Sequence, residues 1–409
     1  MKRSSNYRHV TPRSEQSFTI STKGPPVYLD NAATSFPKPG GVAEETARAI
    51  IEYGGNPGRG SHVLSRRAAE KVSEARELAA QIFGASNPEN VIFTHNATEA
   101  LNMAIFSATK NGGHVLISDI EHNSVYRPVS RLESEGKIKL EIYSSVGRDE
   151  NIVQNIAEKI RNDTVLVIAC HKSNIVPITL PINEIGALCR EKGIKFIVDA
   201  SQSVGNTDID IKRCSAWAIC APGHKGLCGP QGVGVLVFGE NARVSDIDPL
   251  YFGGSGPSSS EREMPSTLPH RMEAGTLPTP AIAGLCEGMK YVIERGAAEI
   301  GRYESALCDY IKGALSRLPR VKVYMPNEKG SGVMLFNVEG FSCHDIAQYL
   351  DRRGICVRSG LHCAPLAHRR VGSYQSGGGV RVSFGPFSQR EDADRLIYAI
   401  RDLVYQASR

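Results

Sequence analysis

Between residues 90 and 238, short apolar runs alternate with longer stretches in which apolar residues return every three or four positions. The runs 90–94, 114–118, 139–143, 164–170, 195–199, 216–221 and 233–238 read as buried strands. The stretches 123–135, 152–160 and 182–192, and the one opened by Asn96-Ala-Thr-Glu-Ala100, read as helices. This alternation predicts an α/β fold with a mostly parallel sheet, helices on both faces and right-handed crossovers. Ahead of it, a short strand from Val27 ends in a polar turn at Thr34. Helices follow at 41–53 and 65–83, the second capped by Ser65.

The pattern breaks at 250–275. Gly253-Gly-Ser-Gly-Pro-Ser-Ser-Ser260 and two more prolines there read as a long mobile loop. Helices near 279–294 and 298–318 come next. Strands at 321–324, 332–338, 355–358 and 380–384 and a last helix at 390–407 then form a smaller α+β part. The expected division is a mobile arm at 1–26, a large domain at 27–285 and a small domain at 286–409. The N-terminal stretch of the large domain is free to pack on the small one.

Composition narrows the function classes. The chain has 409 residues, is 41% hydrophobic and carries a net charge of +5. Lys and Arg are dispersed, so no nucleic-acid partner is demanded. No run of about 18 apolar residues exists, so no membrane span is expected. Residues 1–23 are polar and basic and lack the apolar core of a secretory signal. The ten cysteines are scattered, with no CxxC pair and no zinc pattern, so no metal is expected. They read as reduced thiols in a cytoplasmic protein, most of them small core residues.

Candidate chemistry centres on Ala221-Pro-Gly-His-Lys-Gly-Leu-Cys-Gly-Pro-Gln-Gly232. Lys225 is either a surface turn lysine or a desolvated amine poised to form a Schiff base with a carbonyl cofactor. Asp199 closes an apolar strand, where ligands bind in open α/β sheets. It can pair with a protonated ring nitrogen or simply cap a helix. Gln202 is a donor to a ring oxygen or a surface amide. Thr98 lies where a strand runs into a helix, a natural phosphate seat, or caps that helix. His122 can stack on a planar cofactor and move protons, or be an ordinary loop histidine. Asn174 can bond the cofactor or shape a turn.

Six segments occur in order: Tyr28-Leu-Asp-Asn-Ala-Ala-Thr34, Ala97-Thr-Glu-Ala100, Glu121-His122, Asp199-Ala-Ser-Gln202, Gly223-His-Lys225 and Glu273-Ala-Gly-Thr276. Together they resemble the class V aminotransferase family of pyridoxal 5'-phosphate enzymes, fold type I, from about Tyr28 to the C-terminus. The resemblance implies that Lys225 is the Schiff-base lysine, Asp199 the pyridinium partner and His122 the stacking ring. It implies cofactor contacts for Gln202 and Asn174 and phosphate contacts for Ala97, Thr98 and His224. It further implies a homodimer, with Gly275 and Thr276 reaching the other subunit's phosphate and His62 also crossing the interface.

A seventh segment, Val357-Arg-Ser-Gly-Leu-His-Cys-Ala-Pro365, resembles the Arg-x-Gly-x-His-Cys-Ala stretch of cysteine desulfurases, nearest the Suf-type group and its selenocysteine lyase relatives. Cys363 is then the sulfur acceptor, or else a buried structural thiol. His362, Arg358 and the run His368-Arg-Arg370 are expected to supply positive potential for its thiolate. Arg358 and Arg381 can grip a substrate carboxylate in a fork or be surface arginines; the resemblance favours Arg381 as the clamp and Arg358 as its helper. The resemblance adds Asn31, Ala33 and His62 to the substrate side. Pro222 stands where the family usually has a phosphate-binding hydroxyl, and Asn96 where glycine is usual. The stretch 366–379 also departs from the main Suf-type pattern and reads as mobile, a candidate gate with 250–275.

The expectation is conversion of L-cysteine to L-alanine, with a persulfide formed on Cys363 and passed to an acceptor, which can be a protein. The alternatives are a selenocysteine lyase, another class V enzyme (transaminase, epimerase or cysteine C–S lyase), or a scaffold without activity.

Overall fold

A computed structural model describes residues 25–406, except 59, 257–259, 326 and 329. The expected mobile arm therefore lies outside the described residues, apart from its last two positions.

The strand-like runs assemble as one seven-stranded sheet. Its order is Val91–Thr94, Gly234–Phe238, Ala218–Pro222, Lys195–Asp199, Thr164–Cys170, His114–Ser118 and Lys139–Tyr143. Only Gly234–Phe238 runs against its neighbours; the other pairings are parallel. Continuous apolar runs belong in such strands because both faces are covered. Phe93, Leu116, Val167, Phe196 and Val235 point to a core shared with the helices Val63–Phe83, Ile182–Glu191 and Thr279–Arg295. Their neighbours Ile92, Ile117, Ile168, Ile197 and Leu236 point to the opposite core, under the helices Ala97–Ala108 and Asn123–Ser134.

The C-terminal part forms a four-stranded antiparallel sheet, ordered Arg358–Gly360, Gly379–Ser383, Val333–Val338 and Val321–Val323. It packs on the helices Ala297–Leu315, Cys343–Asp351 and Arg390–Gln406 around its own core. Val27–Tyr28 pairs in parallel with Ile355–Cys356, and Val27 and Leu29 join that core. The chain thus begins against the C-terminal part and then crosses to the large sheet. No described helix is long and apolar enough to cross a membrane.

Three sequence expectations change. The helix 63–83 is capped by His62, not Ser65: the His62 ring accepts the Ser65 N–H, while the buried Ser65 hydroxyl donates to Asn56 O at 2.6 Å. The stretch 250–275 is irregular, but its second half is anchored. Leu268 and Met272 are buried. Glu273 forms a buried two-toothed ion pair with Arg76 (2.7 and 2.9 Å) and accepts the Phe93 N–H. The stretch 366–379 is not an open loop either: Pro365–Arg370 is helical, and His368 and Ser373 are fully buried.

Removing one partner of a buried ion pair strands the other charge, at about 3–5 kcal/mol. Arg76→Leu should therefore lower stability by roughly that amount, and Arg76→Leu with Glu273→Leu should recover part of it. Urea unfolding curves measure both. A single variant as stable as the parent would show that this pair does not anchor the 268–276 segment.

Candidate active site

The carboxyl ends of the parallel strands converge on one place, as open α/β sheets require. Glu121 and His122 follow the strand His114–Ser118, and His171 to Asn174 follow Thr164–Cys170. Asp199 closes Lys195–Asp199, and His224 and Lys225 follow Ala218–Pro222.

Close backbone contact fixes the Lys225 loop. A Cβ on Gly226 would stand 2.0 Å from Val204 O, so only glycine fits there. The N-terminal segment straps the loop down. His224 O accepts from Ser35 N (3.0 Å), Thr34 Oγ1 (3.1 Å) and Lys38 Nζ (2.9 Å). Lys225 O accepts from Ser35 Oγ (3.0 Å). Burial pulls the Lys225 amine down to about 8; Asp199 opposes the drop and Arg381 adds to it.

Asp199 is buried, and its Oδ1 accepts the Ser201 N–H at 2.9 Å. Beside it lies a group with no role assigned from sequence. Glu121 is fully buried and takes the Ser118 hydroxyl (2.5 Å) and the Cys170 N–H (2.7 Å) on Oε1. Burial raises its pKa to about 8, and Asp199 pushes the same way. Glu121, Cys170 and Asp199 lie within 4.8 Å of one another. Two of the three are held protonated by burial, a poor donor set for a cation.

His122 is held neutral: burial lowers its pKa to about 4, against the pull of Asp199. Its Nδ1 accepts the Ser124 N–H at 3.1 Å, which leaves the proton on Nε2. Asn174 donates to His362 O at 2.8 Å, and its own Oδ1 is buried without a partner. His224 Nδ1 and Arg381 Nε are likewise buried and unpartnered. Gln202 donates to Ala32 O at 2.9 Å. The helix Ala97–Ala108 starts at the strand end, with Asn96 as its cap. The first N–H groups, at Ala97 and Thr98, are the orphan donors of a helix start, and the Thr98 side chain is exposed beside them. Asn96 therefore supplies by capping the order that glycine would not, and Pro222 ends a strand instead of offering a hydroxyl.

The C-terminal part contributes three residues. Arg381 is buried; it donates to Asp30 (2.7 Å) and Asn174 O (3.3 Å). Arg358 reaches the other oxygen of Asp30 at 3.0 Å. Asp30 was not singled out from sequence, although it stands inside a quoted motif. Asn31 braces the same turn, accepting from Phe36 N (3.2 Å) and donating to Ser383 O (3.2 Å); Ala33 N bonds Asp30 O. Cys363 is exposed, whereas eight of the ten cysteines are buried and Cys356 is half-buried. It sits in a turn closed by Ala364 N to Leu361 O, with φ of +50° at His362 and +54° at Cys363. Each left-handed non-glycine residue costs about 1–2 kcal/mol, so the turn needs docking contacts. It has two: Asn174 on His362 O, and Asn123 N on Cys363 O at 2.8 Å.

The expected source of positive potential is corrected in part. Burial pulls His362 to about 3 and His368 to about 4, so both rings are neutral near pH 7. Of the groups expected to supply that potential, only the arginines keep their charge, and Arg358 and Arg370 already pair with Asp30 and Asp119.

Three expected residues lie elsewhere in the single chain. His62, Gly275 and Thr276 line a cleft of about 780 Å³ that shares no residue with the small cavity lined by Lys225 and Gln202. Asn56 donates to the Thr276 hydroxyl within it. Orphaned buried polar atoms at His224, Asn174 and Arg381, a helix start, and a desolvated amine beside a buried carboxylate fit a flat, anionic carbonyl cofactor.

Residues 27–396 match the family described as Aminotransferase class-V. A probable cysteine desulfurase of Pyrococcus abyssi is 34% identical over 92% of this chain and 94% of its own length. One of Methanothermobacter thermautotrophicus is 32% identical, with the same coverage. The solved apo structure of a cysteine desulfurase from Thermococcus onnurineus superposes with a TM-score of 0.85 at 32% identity, over 93% of this chain and 95% of that one.

The lowered Lys225 pKa is directly measurable. Competitive acetylation of the cofactor-free protein, read by mass spectrometry of the Lys225 peptide, should show a midpoint near 8. An exposed lysine titrates at about 10.4. A midpoint there would mean that the amine is solvated.

Proposed function

We propose, for a chain that belongs to the class-V aminotransferase family, that it is a cysteine desulfurase converting L-cysteine to L-alanine with a persulfide formed on Cys363. The observation that carries this reading is the placement of the one exposed cysteine on a turn hydrogen-bonded to the His122 segment and to Asn174. The desulfurase names of relatives near 30% identity support it.

The family depends on pyridoxal 5'-phosphate, which when bound supplies a carbonyl for the amine and an electron sink for the substrate's Cα electrons. Lys225 would hold it, with Asp199 at the ring nitrogen, the His122 ring on its face, and Gln202 and Asn174 at its edge. Ala97, Thr98 and His224 would take the phosphate. Arg381 would grip the substrate carboxylate with its unpartnered Nε and an outer nitrogen, with Arg358, Asn31 and Ala33 nearby. Lys225, half-neutral near pH 8, removes the Cα proton and carries it. His122 is a second proton carrier, from Nε2. The Cys363 thiolate attacks the substrate sulfur. An S–S bond forms as the C–S bond breaks. The bond's electron pair stays with the three-carbon fragment, which takes a proton at Cβ, regains one at Cα and leaves as alanine. An acceptor thiol or protein then removes the outer sulfur.

A homodimer fits the separation of His62, Gly275 and Thr276 from Lys225, because a second copy can bring one cleft to the other's cavity. Exposed Val63 and Leu64 follow His62 in sequence, and exposed Tyr251 and Phe252 stand just ahead of Gly254, which lines the same cleft; this is apolar surface an interface would cover. Ten free thiols support a reducing, cytoplasmic setting.

Cys363→Ala should lower alanine formation from cysteine by about 100-fold or more, since the sulfur loses its nucleophilic acceptor. Alanine and sulfide (or selenide) release should be measured with both L-cysteine and L-selenocysteine. Undiminished turnover of cysteine would remove the persulfide route. Turnover of selenocysteine alone by the parent protein would favour the lyase. Sedimentation velocity at micromolar concentration should show a dimer; a monomer would remove the shared-site reading.

A further inference from the structure

The turn that presents Cys363 is held by more than its two docking contacts. His362 Nε2 lies 3.2 Å from Arg358 O, which can only accept, so that nitrogen carries the proton. His362 is neutral, so its Nδ1 must accept, and the group 3.1 Å away is Nε2 of His368. His368 therefore donates from Nε2 and accepts on Nδ1, where the Ser373 hydroxyl sits at 2.7 Å. Every proton in the chain is assigned by its one acceptor-only end. The two rings lie 15° apart in plane, and His368 and Ser373 are fully buried. The chain's far end is the segment 366–379, and its near end is the first of two consecutive left-handed residues.

We propose that His368 is a positioning residue for the sulfur-accepting step. Through His362 it holds the left-handed turn that presents the Cys363 thiol, and Ser373 holds the far side of the His368 ring at Nδ1. The role rests on the reading of Cys363 as sulfur acceptor. It predicts a defect confined to sulfur transfer. Chemistry at the substrate Cα, which does not involve Cys363, should be spared.

The test uses the holoenzyme and four variants: His368→Leu, His368→Gln, Ser373→Ala and Cys363→Ala. Two rates are compared: alanine formation from cysteine, and exchange of the Cα proton of L-alanine with deuterated solvent, followed by NMR. Losing a buried hydrogen bond of this kind is worth about 10-fold. His368→Leu should lower sulfur transfer by about that factor while exchange stays within about twofold. His368→Gln, whose amide can still donate to His362, should recover most of the loss. Ser373→Ala should lose a smaller part, about threefold, and stands in if the leucine variant fails to fold. Equal loss in both rates, a glutamine variant no better than leucine, or no loss in any variant would each overturn the proposal. Cys363→Ala separates the two readings. If it keeps full sulfur transfer, the reading of Cys363 itself fails. If it is inactive while the His368 and Ser373 variants are unimpaired, only the positioning role fails.

Discussion

The site depends on an ammonium group that the fold will not solvate. Lys225 stands at the end of a strand in the middle of the large sheet, where burial favours the neutral amine and Asp199 favours the charged one. Burial wins, but not by so much that the proton is lost at neutral pH. That balance is what a residue needs if it is to act as nucleophile and then as proton carrier. It also explains the surrounding polar arrangement. Glu121, buried next to Asp199, keeps its own proton up to about pH 8, so the cluster is not forced to hold two full negative charges in a dry place. His122 is kept neutral by the same desolvation. One physical effect, burial at the carboxyl edge of a parallel sheet, thus dominates the protonation of three neighbouring groups.

A second constraint is the meeting of two arginines. Arg358 and Arg381 are directly opposed across antiparallel strands, a repulsive placement. Asp30 relieves it by giving one carboxylate oxygen to each. Asp30 belongs to the N-terminal segment that also straps the Lys225 loop through Thr34, Ser35 and Lys38. The same nine residues, 30–38, therefore couple the two arginines of the small sheet to the amine of the large one. On the proposed role of Arg381, a substrate carboxylate would meet a guanidinium already oriented, with Nε buried and unpartnered. Orientation is supplied in advance by an internal anion, which is why the clamp can be buried without losing its direction.

Much of this was legible in the sequence, for reasons that differ by residue. The sheet was readable because strands covered on both faces must be apolar throughout, and the helices because one face returns every three or four positions. Lys225, Asp199, His122 and Cys363 were readable because they stand in short segments with glycine, proline or strand ends beside them. Asp30 and Arg76 were not, because buried polar pairs between residues 351 and 197 positions apart leave no period behind. Glu273 was quoted in a motif, yet its partner Arg76 lies inside a helix whose pattern makes it look like a surface arginine. The same blindness produced the misreading of 366–379. Its glycines suggested motion, while His368 and Ser373 bury themselves through partners visible only in three dimensions. Charge was misjudged at His362 because protonation follows burial, and burial of a loop residue cannot be read from its neighbours.

The turn at Cys363 shows how a reactive group can be fixed in place and left free. Its contacts run through the carbonyls of Leu361, His362 and Cys363 and through the His362 ring. None uses the sulfur. Had the thiol itself been the anchor, each round of sulfur loading would have broken the interaction that positions it. Because the backbone and a neighbouring imidazole hold the turn, the proposed gain and loss of a sulfur atom on the side chain would leave it undisturbed. Left-handed φ at two consecutive non-glycine residues is the strain this solution requires. Docking against Asn174 and Asn123, two residues that follow strand ends of the large sheet, is what holds that strain under the exposed cysteine.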